Sequence, residues 1–116
     1  MQTDIFNRDK NGSPVSSREP EFEKIKEIQA INRRLIAEMN FSYHSDEDNR
    51  ALLEKITWSE LDESVCIWPP FYTDFGRNIV IGKNVFINSN CTFMDRGGIT
   101  IGDGTYIGPN VNLTTL

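Results

Sequence analysis

The last third of the chain repeats an apolar residue every six positions, and this spacing constrains the fold more than any other feature. The anchors form two series separated by a gap of eight residues: Phe75, Ile81, Ile87 and Phe93, then Ile101, Ile107 and Leu113. An amphipathic helix repeats every 3.6 residues and a half-buried strand every second residue, so neither produces a period of six. The spacing therefore predicts short strands separated by corners.

Three such units form one coil of a parallel β-helix, roughly 18 residues around. The aliphatic anchors stack inside the coil, and Gly and Asn residues supply the positive φ angles that corners require. Residues 75–116 then make about two coils, with two residues inserted within "DRGG". Because a stack of repeats exposes apolar surface unless its end is capped, we expect this β-helix to be incomplete at the C-terminus and covered by further chain or another copy.

The region before the repeat has the pattern of a helical segment. In the first helix the apolar residues recur in steps of three and four: Phe22, Ile25, Ile28, Ile31, Leu35 and Met39. Ser45 is the predicted cap of a second helix, and Ala51, Leu52, Ile56 and Leu53 are the candidates for its inward face. Residues 1–19 are expected to be mostly loop, with at most a turn of helix near Ile5. The predicted domains are a helical segment, 1–62, and a β-helical segment, 63–116.

Composition narrows the class of protein. A net charge of -5 disfavours nucleic-acid binding, which usually requires a basic face. The chain contains no apolar run approaching the roughly 18 residues of a membrane span, and its N-terminus lacks the pattern of a secretory leader, so we expect a cytoplasmic protein that binds no membrane. Cys66 and Cys91 are interpreted as small buried apolar residues rather than as a disulfide or metal ligands.

The segments "PPFYTDFG", "IGKNVFINSNCTF" and "ITIGDGTYIGPNVNL" resemble the hexapeptide-repeat acyltransferases, in particular the maltose and galactoside O-acetyltransferase branch. The helical pair ending "LIAEMN" is similar to the N-terminal segment of that branch. The resemblance implies a left-handed parallel β-helix, mainly β with an N-terminal helical segment, assembled as a homotrimer. It also implies transfer of acetyl from the co-substrate acetyl-CoA to a sugar hydroxyl, with most of the acetyl-CoA contacts in later coils.

The resemblance also implies site residues. The family histidine, a general base, is expected just beyond Leu116, so no catalytic residue is assigned within the chain, and no metal site is predicted. The only histidine, His44, lies in the loop between the helices and does not match the family position. The predicted acceptor-binding residues are Asp74, Asn88 and Asp95, whose carboxylate and amide groups suit sugar hydroxyls. Asn88 and Asp95 also have structural interpretations, at a corner and at the end of a coil.

Two functions remain open at this point. The first is an acetyl-CoA-dependent O-acetyltransferase that acts on a sugar or related hydroxyl compound, present here as an N-terminal portion that is inactive alone. The second is a non-catalytic β-helical assembly module whose open end is completed by another chain. Arg96 and Ser16 depart from the residues common in the family, and both departures leave the acceptor undefined.

Overall fold

A computed structural model describes residues 4–115 as three helices followed by eight short strands. The helices are α1 (Ile5–Lys10), α2 (Phe22–Phe41) and α3 (Asp46–Thr57). The strands are β1 (Cys66–Ile67), β2 (Phe71–Thr73), β3 (Ile79–Ile81), β4 (Phe86–Ile87), β5 (Cys91–Met94), β6 (Ile99–Ile101), β7 (Tyr106–Ile107) and β8 (Asn112–Thr114). None of the helices described here is long and apolar enough to cross a membrane.

The strands form three parallel sheets, in the orders β1-β4-β7, β2-β5-β8 and β3-β6. Every paired residue lies 20 positions from its partner: Cys66 pairs with Phe86, Ile79 with Ile99, and Thr92 with Asn112. The predicted parallel β-helix is therefore confirmed, but its coil is longer than the expected 18 residues. The extra length recurs in each complete coil, at the turns formed by residues 74–78 and 95–98, and is not a single insertion.

Asparagine residues make several corners. Asn84, Asn90 and Asn110 have φ angles of 55°, 65° and 61°, in the left-handed region that Asn tolerates better than most residues. Asn90 and Asn110 are in register, and the amide of Asn90 donates to Asn110 Oδ1 at 2.5 Å. Gly82 has a different reason to be glycine, because a Cβ there would lie 2.2 Å from the Asp103 carboxylate.

One hydrophobic core joins the helices to the interior of the coils. Its fully buried members come from α2, α3, the residue before β1 and successive strands: Met39, Leu53, Ile56, Val65, Ile67, Ile87, Cys91 and Phe93. Phe75, predicted as the first anchor of the repeat, is not part of it. It lies in the turn after β2 and packs in a second cluster with Ile5, Ile25 and Ile28, because the longer turn carries it out of the coil and under the helices.

Some of the residues that α2 and α3 bury are not the ones that the sequence predicts. Ile31 is 48% exposed, and the neighbouring Asn32 is buried in its place. In α3, Ser45 caps the helix as predicted by accepting from the Asp48 N–H at 3.1 Å. Leu53 and Ile56 are buried, but Ala51, also predicted to face inward, is exposed. A full helix, α1, also replaces the single turn expected near Ile5.

Candidate functional site

Asp95 is fully buried and holds the turn of the preceding coil. Its Oδ1 accepts from the Thr73 hydroxyl at 2.8 Å and from the backbone N–H groups of Phe75 at 3.1 Å and Gly76 at 2.8 Å. Its Oδ2 accepts from the Asn78 N–H at 3.0 Å. A buried carboxylate is tolerated only when it is well hydrogen-bonded, and four donors meet that need. Asp95 thus has a structural role that is evident from its contacts.

Asp74 lies against Asp95 at the start of the same turn. Its Oδ1 accepts from the Asp95 N–H at 3.1 Å. Burial, followed by the neighbouring Asp95 carboxylate, raises the pKa of Asp74 to about 6. Both effects disfavour the ionised form, because a charge is costly away from water and a second negative charge close by adds repulsion. A carboxyl group that titrates near neutrality is often found at functional sites, although structural networks also produce one.

Asn88 lies beside a ladder of aromatic side chains on the outer face of the β1-β4-β7 sheet. The Trp68 and Phe86 rings are 4.9 Å apart in an edge-to-face arrangement, and the Phe86 and Tyr106 rings are 5.1 Å apart. Tyr106 is 68% exposed and Trp68 is 49% exposed. The Asn88 amide donates to the Tyr106 hydroxyl at 3.2 Å, and its Oδ1 accepts from the Ser89 N–H at 2.7 Å. An exposed aromatic surface with an amide at its edge can hold a ring-shaped polar ligand.

The three predicted acceptor residues do not converge within one chain. Asp74 and Asp95 lie together after β2 and β5, whereas Asn88 precedes β5 at its other end. The four residues of β5 alone span roughly 13 Å. The aromatic ladder was missed in the sequence, although the 20-residue spacing between Phe86 and Tyr106 is visible once the register is known.

A groove of about 400 Å³ separates the α2–α3 loop from the corner that carries Pro69 and Pro70. His44 lines it, with Nε2 2.9 Å from the Glu38 carbonyl oxygen and 3.0 Å from the Glu38 carboxylate. The Ser42 hydroxyl oxygen also lies 3.0 Å from Nε2, so three polar groups surround this ring nitrogen. His44 therefore binds the C-terminal end of α2 and does not present a free Nε2 to a ligand in the groove.

Arg96 and Ser16 also have defined surroundings. The Arg96 guanidinium donates to both oxygens of the buried Asp9 carboxylate, at 2.6 and 2.7 Å, and thereby fastens α1 to the turn after β5. This bidentate contact with Asp9 raises the pKa of Arg96. Ser16 is exposed, and its hydroxyl accepts from the Arg18 N–H at 3.1 Å.

Comparison with known proteins agrees with this architecture. The chain is 36% identical to the galactoside O-acetyltransferase of Escherichia coli K12 over 92 residues, which cover 79% of the chain and 45% of that protein. It is 46% identical to nodulation protein L of Rhizobium leguminosarum over 67 residues, 58% of the chain and 34% of the relative. No protein-family model matches the chain.

Solved structures of acetyltransferases are also similar to this chain. A hexapeptide-repeat acetyltransferase from Vibrio cholerae, in complex with acetyl coenzyme A, superposes with a TM-score of 0.78 and 30% identity, covering 95% of this chain and 57% of that one. The chain is a homologue of the hexapeptide-repeat acetyltransferases. A galactoside acetyltransferase in complex with coenzyme A superposes with a TM-score of 0.73 and 28% identity, covering 97% of this chain and 55% of that one.

The predicted fold class, the left-handed β-helix of the hexapeptide-repeat acetyltransferases with an N-terminal helical segment, is thereby confirmed. The chain spans about half the length of the relatives that it matches. Asp74, Asn88 and Asp95 all lie within this shared half, and their contacts with an acceptor remain predictions.

Proposed function

We propose that the chain forms the acceptor side of an acetyl-CoA-dependent O-acetyltransferase that acts on a sugar or related hydroxyl compound. The observation that carries the proposal is the 36% identity to a galactoside O-acetyltransferase across 79% of the chain. The superposition on an acetyltransferase that binds acetyl coenzyme A supports acetyl-CoA as the co-substrate. The acceptor hydroxyl attacks the thioester carbonyl, its proton passes to a general base, and the thiolate of coenzyme A leaves.

The proposed acceptor surface is the aromatic ladder with Asn88 at its edge. Trp68 and Tyr106 offer exposed ring surface, and the Asn88 amide can exchange its bond with the Tyr106 hydroxyl for one with a sugar hydroxyl. Asp74 is proposed as a second acceptor contact. Asp95 is proposed to act mainly by holding the turn that carries Asp74, since its oxygens already accept from four donors.

The general base is proposed to be a histidine outside these 116 residues. His44 does not suit the role, because its Nε2 is engaged by Glu38. Imidazole fits the task because its pKa lies near neutrality. Backbone N–H groups would stabilise the oxyanion that develops on the thioester carbonyl, as acyl transfer requires.

The active assembly is proposed to be a cytoplasmic homotrimer with sites between subunits. Asn88 and the Asp74–Asp95 pair lie at opposite ends of β5, so one chain cannot place them around the same acceptor. In a trimer, Asn88 of one subunit can face the Asp74–Asp95 pair of a neighbouring subunit, which supports this arrangement. Light scattering is expected to give three times the mass of one chain for the active protein.

Release of free thiol from acetyl-CoA in the presence of a galactoside tests the proposal. We expect no activity above background from the 116-residue chain, and activity from the same chain extended by the remaining coils of a relative. In the extended protein, Asn88→Ala is expected to raise KM for the acceptor about tenfold, from the loss of one or two hydrogen bonds, whereas KM for acetyl-CoA stays unchanged. Activity in the short chain would contradict the assignment of the base.

The second candidate is a non-catalytic assembly module. It is favoured by β7 and β8, which pair on one side only in the described chain, and by Val111 and Leu113, which are only partly buried. Light scattering of the 116-residue chain with and without the C-terminal half of a relative distinguishes the candidates, because a module would form a stable complex that has no thiol-releasing activity. A stable, monodisperse monomer would argue against both.

A further inference from the structure

A second pocket lies between the helices and the turn after β2, away from the aromatic ladder. Its volume is about 290 Å³, and it is lined by Phe6, Ile28, Trp58, Phe75, Arg77 and Asn78. It shares no lining residue with the groove beside His44. Four of its six lining residues are large and apolar, and the single charged group is the Arg77 guanidinium. An apolar pocket with a few polar groups is typical of small-molecule binding sites.

Arg77 is a cation that lacks an acidic partner among residues 4–115. None of the ion pairs in this range includes it. Its Nε is buried and donates to no protein acceptor in the same range. Burial also lowers the pKa of Arg77, whereas the acid-paired Arg96 has its pKa raised. A buried donor without an acceptor is costly, so the guanidinium is well placed to receive an anion.

Trp58 forms the wall on which Arg77 rests. The guanidinium carbon lies 4.0 Å from the centre of the Trp58 ring, a cation–π contact. Trp58 ends α3 with a φ of 57°, a left-handed conformation that is uncommon for a bulky residue. The indole is nevertheless 74% exposed. A large aromatic ring is therefore held open to solvent at the mouth of an apolar pocket.

We propose that this pocket binds a small amphiphilic carboxylate, with its carboxylate on Arg77 and its apolar body against Trp58 and Phe75. The planar guanidinium matches a carboxylate in a bidentate arrangement. Among residues 4–115, Arg77 is the one cation that lines the pocket, so a singly charged anion balances it better than a phosphate dianion does. The volume is at the lower limit of ligand pockets, so the body is one ring or a short alkyl chain. The proposal does not depend on the acetyltransferase function.

Benzoate and its neutral isostere benzamide test the proposal on the full chain through tryptophan fluorescence. The chain contains two tryptophans, Trp58 and Trp68. We expect a saturable change with benzoate at millimolar concentration, lost in Trp58→Phe and retained in Trp68→Phe. Benzamide is expected to bind at least tenfold more weakly, because a charge-assisted hydrogen bond is replaced by a neutral one. Equal binding of the two probes, or no saturable change with benzoate, would overturn the proposal.

Variants of Arg77 supply an independent measurement. Arg77→Gln is expected to weaken benzoate binding at least tenfold and to leave benzamide binding within a factor of two. Arg77→Lys keeps the positive charge but loses the planar pair of N–H donors. Its affinity for benzoate is expected to lie between that of Arg77→Gln and that of the original chain. The control is Arg34→Gln, which removes an exposed cation from α2 and should leave both affinities unchanged. Unfolding in urea identifies any variant that has lost its fold, and benzoate affinity retained in a folded Arg77→Gln would refute the assignment.

Discussion

The carboxyl groups of Asp74, in the turn after β2, and Asp95, in the turn after β5, are adjacent but differ in their hydrogen bonding. Asp95 accepts from a hydroxyl and three backbone N–H groups, so both of its oxygens are hydrogen-bonded. Asp74 accepts from the Asp95 N–H and lies beside that charge, so its own ionisation is opposed. The pair therefore contains one carboxylate fixed by donors and one carboxyl group that gains or loses its proton near neutral pH.

The pH dependence of stability follows from Asp74. Its pKa is raised from an ordinary value near 4 to about 6, so the folded chain holds this proton more tightly than the unfolded chain. The resulting stabilisation is complete below about pH 4 and is lost as the pH rises through about 6. Because Asp74 is only half-buried, we expect a loss of roughly 1–2 kcal/mol over this interval, measured by urea unfolding.

Asp74→Asn isolates this contribution, because asparagine stays neutral and keeps an oxygen for the Asp95 N–H. We expect the variant to match the original chain near pH 4 and to exceed its free energy of unfolding by roughly 1–2 kcal/mol near pH 7. Carboxyl groups that do not contact Asp74 titrate equally in both proteins, so their effect cancels in the difference. A difference that does not change with pH would contradict the raised pKa of Asp74.

Among the secondary-structure elements, α2 shows where tertiary contacts override hydrophobic periodicity. Ile31 and Asn32 are adjacent, and a helical repeat accommodates either one on the buried face. Asn32 is the buried residue because its amide donates to the carbonyl groups of Phe75 and, at 3.5 Å, Ile56. A Cβ on Gly76 would lie 2.6 Å from the Ile56 carbonyl oxygen, which shows how closely the turn approaches the helices at this point.

Alanine substitutions at these two neighbouring positions test that register. Asn32→Ala is expected to lower the free energy of unfolding by about 2 kcal/mol, because buried carbonyl groups lose their donor. Ile31→Ala, the matched control, is expected to lower it by about 0.5 kcal/mol, since the side chain is 48% exposed. Denaturation in urea gives both values. A larger loss of unfolding free energy for Ile31→Ala than for Asn32→Ala would instead support the buried face of α2 that periodicity predicts.

The strands and corners were predictable to the extent that they depend on local spacing. A six-residue repeat with Gly and Asn between the anchors is enough to predict short parallel strands. The 20-residue coil was not predictable from it, because the N–H groups of the turn at residues 74–78 are satisfied by Asp95, one coil later, rather than by a local partner. For the same reason the family resemblance indicated Asp74 and Asp95 as acceptor contacts, but the sequence could not reveal that they contact each other.

At the scale of the whole molecule, the helices and the coils share a core. Met39 of α2 and Leu53 of α3 belong to the same buried cluster as Ile67, Ile87 and Phe93 of the strands. The predicted division into residues 1–62 and 63–116 follows the change in composition. Neither segment buries its apolar face alone, so we propose that the two segments form one cooperative unit.

Unfolding monitored by two probes tests this cooperativity. Circular dichroism at helical wavelengths follows mainly α1 to α3, and the fluorescence of Trp68 follows the β1–β2 corner in a Trp58→Phe background. We expect the two urea transitions to coincide, because loss of either segment exposes the shared core. The same comparison in the Trp68→Phe chain controls for the choice of fluorophore. Two separated transitions would instead support independent domains.

The ion pair between Asp9 and Arg96 joins residues 87 positions apart in the sequence. On a ribosome that adds 5–20 residues per second, about 4–17 s pass between the synthesis of one partner and that of the other. During this interval the Arg96 guanidinium has not been made, and the turn after β5 does not yet exist. The contact that fastens the first helix to the coils therefore forms only after much of the second coil has been synthesised.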